Sequence, residues 1–199
     1  MTTANKITIG RFLLIPVFIT LAAYYSQSIA NGAEQIGFRI GALAVYAIAS
    51  LSDLVDGYIA RKYNQHTPFG QFFDPLADKM LLLAGVITLS LTGWHVGLPI
   101  WFAVLVIARD VVIMCGVLII KHFAGAVKMG PKMSSKICTV LQLSCVVWVL
   151  LDFRDPERPP LPLTVLIAAA AVFTVVSGVQ YLIEGVRQLK EGGHTTPGG

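Results

Sequence analysis

Long apolar runs dominate this chain. About six of them, at 7–25, 37–59, 75–92, 97–120, 136–151 and 161–183, follow one another with only short polar breaks. A hydrocarbon core roughly 30 Å thick takes about 20 apolar residues in an α-helix to cross. Lipid offers the backbone no hydrogen-bond partner, so such runs must be helical. The breaks have turn chemistry: Asn31-Gly32, His66-Thr67-Pro68-Phe69-Gly70, Thr92-Gly93, Gly125 to Pro131, and Arg158-Pro159-Pro160. The fifth run is the shortest and reaches full length if its helix starts near Ser134. Composition points the same way, with 55% hydrophobic and 13% charged residues, against roughly 25% charged in a soluble domain. Too little polar surface exists to cover a water-facing globule, which excludes an ordinary cytosolic domain and a disordered chain. The expected fold is all-α: a polytopic membrane protein of about six transmembrane helices, one domain over 1–199, with a frayed tail at 191–199.

Orientation follows from the basic residues. With a cytoplasmic N-terminus, Lys6, Arg11, Arg61, Lys62, Lys79, Arg109, Lys121, Lys128, Lys132, Lys136, Arg187 and Lys190 fall on or near the cytoplasmic side. Only Arg39, Arg154 and Arg158 fall opposite, a bias that the positive-inside rule favours. Both termini are then expected in the cytoplasm. For a bacterial source the membrane would be the plasma membrane. The formal net charge of +4 is scattered between apolar runs, which suits anionic lipid or phosphate partners and not nucleic acid. Cys115, Cys138 and Cys145 lie in apolar stretches without metal-ligand spacing and read as small buried hydrophobes.

Four of the eleven acidic residues fall in one window. Asp53 and Asp56 are spaced i,i+3 at the end of the second run. Asp74 and Asp78 are spaced i,i+4 at the start of the third. Each pair shares a helical face, and a short loop makes the two helices antiparallel neighbours. Carboxylates so concentrated at a membrane boundary repel one another unless a cation neutralises them. Hard oxygen donors suit Mg²⁺ or Mn²⁺ over zinc, and no His or Cys belongs to the set. Gly57 and Ala60 leave room for a ligand against the helix. Arg61 has the fork geometry that grips phosphate, and Gly70 permits close helix packing. One aspartate at a helix end is an ordinary cap; four in register with these small residues and an arginine indicate phosphoryl chemistry.

The pattern Asp53-x2-Asp56-Gly57-x2-Ala60-Arg61-x8-Gly70-x3-Asp74-x3-Asp78 resembles the motif of the CDP-alcohol phosphotransferases, integral membrane enzymes of phospholipid synthesis. The six-helix layout is similar too. The resemblance implies metal-dependent transfer of a phosphatidyl group from CDP-diacylglycerol to an alcohol, with release of CMP. It further implies a two-metal site of Mg²⁺ or Mn²⁺ held by Asp53, Asp56 and Asp74. Asp78 would be the general base and would also touch metal. Asp53, Gly57, Ala60 and Arg61 would line the CDP site, with Asn5 and Thr8 beside the nucleotide. A homodimer among membrane lipids is the state common in the family.

The acceptor stays open between two alcohols. Arg109 and Asp110 interrupt an otherwise apolar run, which is costly in lipid. Lys132 and Lys136 lie in the following loop, with Thr139 and Gln142 one and two turns on. Arg109, Lys132 and Lys136 are the candidate acceptor-binding cations. The stretch Asn5 to Pro16 is similar to phosphatidylglycerophosphate synthases, which use glycerol 3-phosphate. Those enzymes commonly carry Ala-Arg-Glu where this chain has Ala108-Arg109-Asp110. The Arg-Asp-Val run and Ser135-Lys136-x2-Thr139-x2-Gln142 also resemble cardiolipin synthases, which join CDP-diacylglycerol to phosphatidylglycerol. A divalent-cation transporter is the rival from another class. It fits less well, because transport sites lie near the midplane and these aspartates gather at one rim.

Overall fold

A computed structural model of the chain describes the backbone of residues 3–63, 68–124, 133–151 and 161–192, with side chains described for 10–52, 79–119, 133–151 and 161–188. Six α-helices follow in order: α1 Thr3–Ala30, α2 Ile36–Tyr63, α3 Pro68–Leu91, α4 Ile100–Ala124, α5 Met133–Leu151 and α6 Leu161–Gly192. No strand occurs among the described residues. Each apolar run maps onto one helix, with residues 97–99 ahead of α4 and Thr92 just past α3, and α5 starts at Met133, long enough to span. Among the described residues, four stretches have the length and apolarity to cross a membrane: Gly10–Ala30, Ile100–Ile119, Met133–Leu151 and Leu161–Gln188. Within the described side chains, α2 contributes the apolar stretch Ile36–Ser52 and α3 the stretch Lys79–Leu91. Exposed Leu13, Ile40, Val104, Met114, Val165 and Val172 are among many large apolar side chains facing outward. A water-soluble protein would not tolerate so much exposed apolar surface, and the chain is an integral membrane protein.

Two compact units make up the chain, Met1–Ile100 with Val146–Glu157, and Trp101–Cys145 with Arg158–Gly199. In the first, α1 packs on α2 and α3, and α2 on α3. The buried stripe of α1 runs through Arg11, Ile15, Phe18, Ala22 and Tyr25, a spacing of three and four that keeps one face inward. Phe18 meets Tyr46 of α2 with ring centroids 5.1 Å apart. Gly85 makes room for that tyrosine, since a Cβ there would lie 2.9 Å from Tyr46 Cε2 and 3.0 Å from Val146 Cγ1. At its C-terminus α1 closes on Gly32, whose φ of 70° is the left-handed conformation glycine adopts freely. The α1–α2 connection is tied by Tyr25 OH donating to Glu34 Oε1 (2.5 Å) and the Gln35 amide donating to Ser28 Oγ (3.1 Å). The segment after α3 folds back on α1: Gly93 N–H donates to Ser26 Oγ (2.9 Å), Trp94 Nε1 to the Ala22 carbonyl (3.3 Å), and the Trp94 ring meets Tyr25 edge-on.

In the second unit the inward stripes are Phe102, Val106 and Arg109 on α4, Cys138, Gln142 and Cys145 on α5, and Leu163, Ile167, Ala170, Thr174 and Ser177 on α6. Polar side chains link α5 to α6 along their length. Ser134 Oγ donates to Gln180 Oε1 (2.6 Å), Gln142 Nε2 donates to Thr174 Oγ1 (2.9 Å), and Cys138 Sγ lies 3.2 Å from the same Thr174 oxygen. Cys138 and Cys145 are buried as expected, but Cys115 is exposed. Its place on α4, between the exposed Met114 and Leu118, puts it on a face that apolar surroundings can solvate.

Candidate active site

The acidic motif lies on continuous helix. Through Tyr63, α2 carries Asp53, Asp56, Gly57, Ala60 and Arg61, and from Pro68, α3 carries Gly70, Asp74 and Asp78. Their side chains, with those of Asn5 and Thr8 on α1, lie outside the described residues, as does Lys132 altogether. The helical backbone keeps Asp53 and Asp56 on one face of α2 and Asp74 and Asp78 on one face of α3, on two helices packed together. The boundary that bears on the motif differs from expectation, and α6 also runs on to Gly192, into the tail expected to fray. The third helix starts at Pro68, not near Asp74-Pro75, so Asp74 is nearly two turns in. Phe69, Phe72, Phe73 and Leu76 continue the helical period upstream, and proline is well placed at a helix start. The 28 residues of α2 extend about 42 Å, more than the hydrocarbon thickness, so its acid-bearing end has reach to spare. All four side chains offer hard carboxylate oxygen without imidazole or thiolate, a donor set that fits Mg²⁺ or Mn²⁺.

Arg11, near the start of α1, is only 2% exposed and forms part of that helix's buried stripe. A groove of about 610 Å³ in the same unit is lined by Thr20, Tyr24, Ser26, Gln27, Leu91 and Thr92 among others. It lies at the opposite end of α3 from Asp74 and Asp78.

The second unit holds a buried cation. Arg109 occupies the position on α4 where the Phe102–Val106 stripe would next place an apolar residue, and it is 8% exposed. Its Nη1 donates to Asp110 Oδ1 (2.7 Å), and its Nη2 donates to Ser135 Oγ (2.7 Å) and Ser177 Oγ (2.8 Å). Asp110 balances the charge that burial would otherwise make prohibitive, while the hydroxyls satisfy donors without adding charge. Arg109 Nε is buried with no hydrogen-bond partner among the described residues. Lys136 is exposed near the start of α5. Thr139 and Gln142 turn to other tasks: Thr139 Oγ1 donates to the Ser135 carbonyl (3.1 Å), and Gln142 joins α5 to α6. Sequence reasoning missed Ser177. The signal was there, since Thr174, Ser177 and Gln180 recur every three residues along one side of an apolar helix.

Comparison with known proteins places these residues in a wider setting. The model of the CDP-alcohol phosphatidyltransferase family matches residues 1–177. A CDP-diacylglycerol–glycerol-3-phosphate 3-phosphatidyltransferase of Bacillus subtilis (strain 168) is 37% identical over 190 residues, covering 94% of this chain and 96% of the relative. A probable phosphatidylglycerophosphate synthase of Mycobacterium tuberculosis (strain H37Rv) is 32% identical, covering 94% of this chain and 82% of its own. A Rickettsia felis protein with the same description as the Bacillus one is 33% identical over 89% of this chain and 91% of its own.

Proposed function

The chain belongs to the CDP-alcohol phosphatidyltransferase family, and from that premise we propose that it transfers the phosphatidyl group of CDP-diacylglycerol to glycerol 3-phosphate. The acceptor hydroxyl forms a new bond to the phosphatidyl phosphorus, the bond from that phosphorus to CMP breaks, and CMP and phosphatidylglycerophosphate leave. The observation that carries the reading is the complete eight-position motif on two packed helices, α2 and α3. Family membership replaces the cation-transporter alternative. The relatives' descriptions, all naming glycerol 3-phosphate transfer or phosphatidylglycerophosphate synthesis, favour this acceptor over phosphatidylglycerol.

Asp53, Asp56 and Asp74 would hold Mg²⁺ or Mn²⁺. When bound, the metals supply charge neutralisation at the donor pyrophosphate and at the departing CMP. Asp78 accepts the proton of the attacking hydroxyl. Gly57 and Ala60 leave space for the nucleotide beside α2, and Arg61 binds a phosphate oxygen of the donor, with Asn5 and Thr8 near the nucleotide. Arg109, Lys132 and Lys136 hold the phosphate of the acceptor, which is the group that distinguishes glycerol 3-phosphate from glycerol. The Nε of Arg109, which has no partner among the described residues, is a donor suited to that role. In this reading α2 and α3 also cross the bilayer, and their acid-bearing ends, like both chain termini, face the cytoplasm, where CDP chemistry takes place.

The test is CMP release by purified protein with CDP-diacylglycerol and Mg²⁺ or Mn²⁺, acceptors supplied one at a time. Release with glycerol 3-phosphate, abolished by a chelator, is the expected result. Release with phosphatidylglycerol alone would make the enzyme a cardiolipin synthase.

A further inference from the structure

We infer that Ser177 and Ser135 are positioning residues for acceptor binding: they hold Arg109 Nη2 so that the guanidinium presents its remaining N–H groups to the acceptor's phosphate. The inference rests on the reading of Arg109 as an acceptor ligand. Arginine has five N–H donors in a rigid plane. Here three are committed, one to Asp110 on the same helix and two to hydroxyls on α5 and α6. The Asp110 contact alone comes from the adjacent residue and leaves the long side chain free to pivot. Two acceptors from two other helices, both on Nη2, remove that freedom and fix the plane of the group. With the plane fixed, Nε, whose side chain is 7% exposed and which has no partner among the described residues, has a defined direction. A buried donor of a charged group left unsatisfied is costly, and an anionic oxygen would relieve that cost.

The choice of serine is chemically specific. Elsewhere in the chain, hydroxyls of Thr20, Ser52, Ser90 and Ser144 donate back to the carbonyl four residues earlier, the default for such residues in apolar helices. Ser135 and Ser177 instead accept from the guanidinium. A neutral acceptor anchors the arginine without competing for its charge, whereas a second carboxylate would repel the incoming phosphate. At Gly178 the next residue of α6 is small where Arg109 Cγ passes; a Cβ there would come to 3.6 Å.

Steady-state CMP release with Ser177→Ala, Ser177→Thr, Ser135→Ala and Arg109→Gln tests this. Ser177→Ala is expected to raise KM for glycerol 3-phosphate about tenfold, the scale of one hydrogen bond to a charged group. KM for CDP-diacylglycerol should stay within about twofold, and Ser177→Thr, which keeps the hydroxyl, should recover most of the loss. An unchanged acceptor KM in Ser177→Ala, or equal losses for both substrates, overturns the positioning role. Should Ser177→Ala fail to fold, Ser135→Ala carries the same expectation and the same refutation. Arg109→Gln separates the two layers. If it raises the acceptor KM and the serine variants do not, only the positioning role fails; if it leaves the acceptor KM unchanged, the acceptor reading of Arg109 fails.

Discussion

The acidic motif of the first unit and Arg109 of the second treat charge in opposite ways. The first carries four carboxylates on α2 and α3, spaced so that each pair shares a helix face and with no cation inside the pairs. The second buries one cation in an apolar stripe and neutralises it within the chain, through Asp110. A group of like charges needs a counter-ion from outside, and in the proposed function that counter-ion is the divalent metal. A cation already paired needs nothing to remain folded, and what it offers a ligand depends on how its surroundings orient it. The one is visible as a motif; the other looks in sequence like an isolated interruption.

The largest effect should come from the acidic side. Asp78→Asn should lower turnover by about 10²–10⁴, the usual contribution of a general base, while CDP-diacylglycerol binding is retained. Near-normal CMP release by that variant would remove the base assignment. On the other side, Asp110→Asn breaks the internal neutralisation. It should lower unfolding stability in detergent by about 3 kcal/mol, because an arginine would be left buried without its carboxylate. Wild-type thermal stability in that variant would show that the pair does not carry the burial of Arg109.

Two smaller changes test the packing of the first unit without touching either charge system. Gly85→Ala sets a Cβ against the Tyr46 ring and Val146. Overpacking of about 1–3 kcal/mol, less about 1 kcal/mol of helix propensity regained, leaves a net loss of about 1 kcal/mol. Substrate KM values should not move; if they do, this helix contact communicates with the site. Tyr25→Phe removes the hydrogen bond to Glu34 and should cost about 0.5–1 kcal/mol, read as a small fall in Tm. No loss at all would mean that the Tyr25–Trp94 ring contact holds this end without the phenol.

The membrane class, the six helices, the turn at Asn31-Gly32 and the acidic motif are all legible in the sequence. The physical reason is that each is local. A long apolar run in lipid has no choice but helix, and helical spacing alone puts Asp53 with Asp56 and Asp74 with Asp78. The start of α3 was misplaced because Asp74-Pro75 imitates a helix beginning, although the phenylalanines upstream keep the period. The surroundings of Arg109 were decided by tertiary structure alone. Its hydroxyl partners stand 26 and 68 residues away, on helices where a serine can equally well bond its own backbone. Which course each takes depends on how α4, α5 and α6 are rotated against one another, and that rotation is set by the packing of whole helix faces, a property that no local pattern encodes.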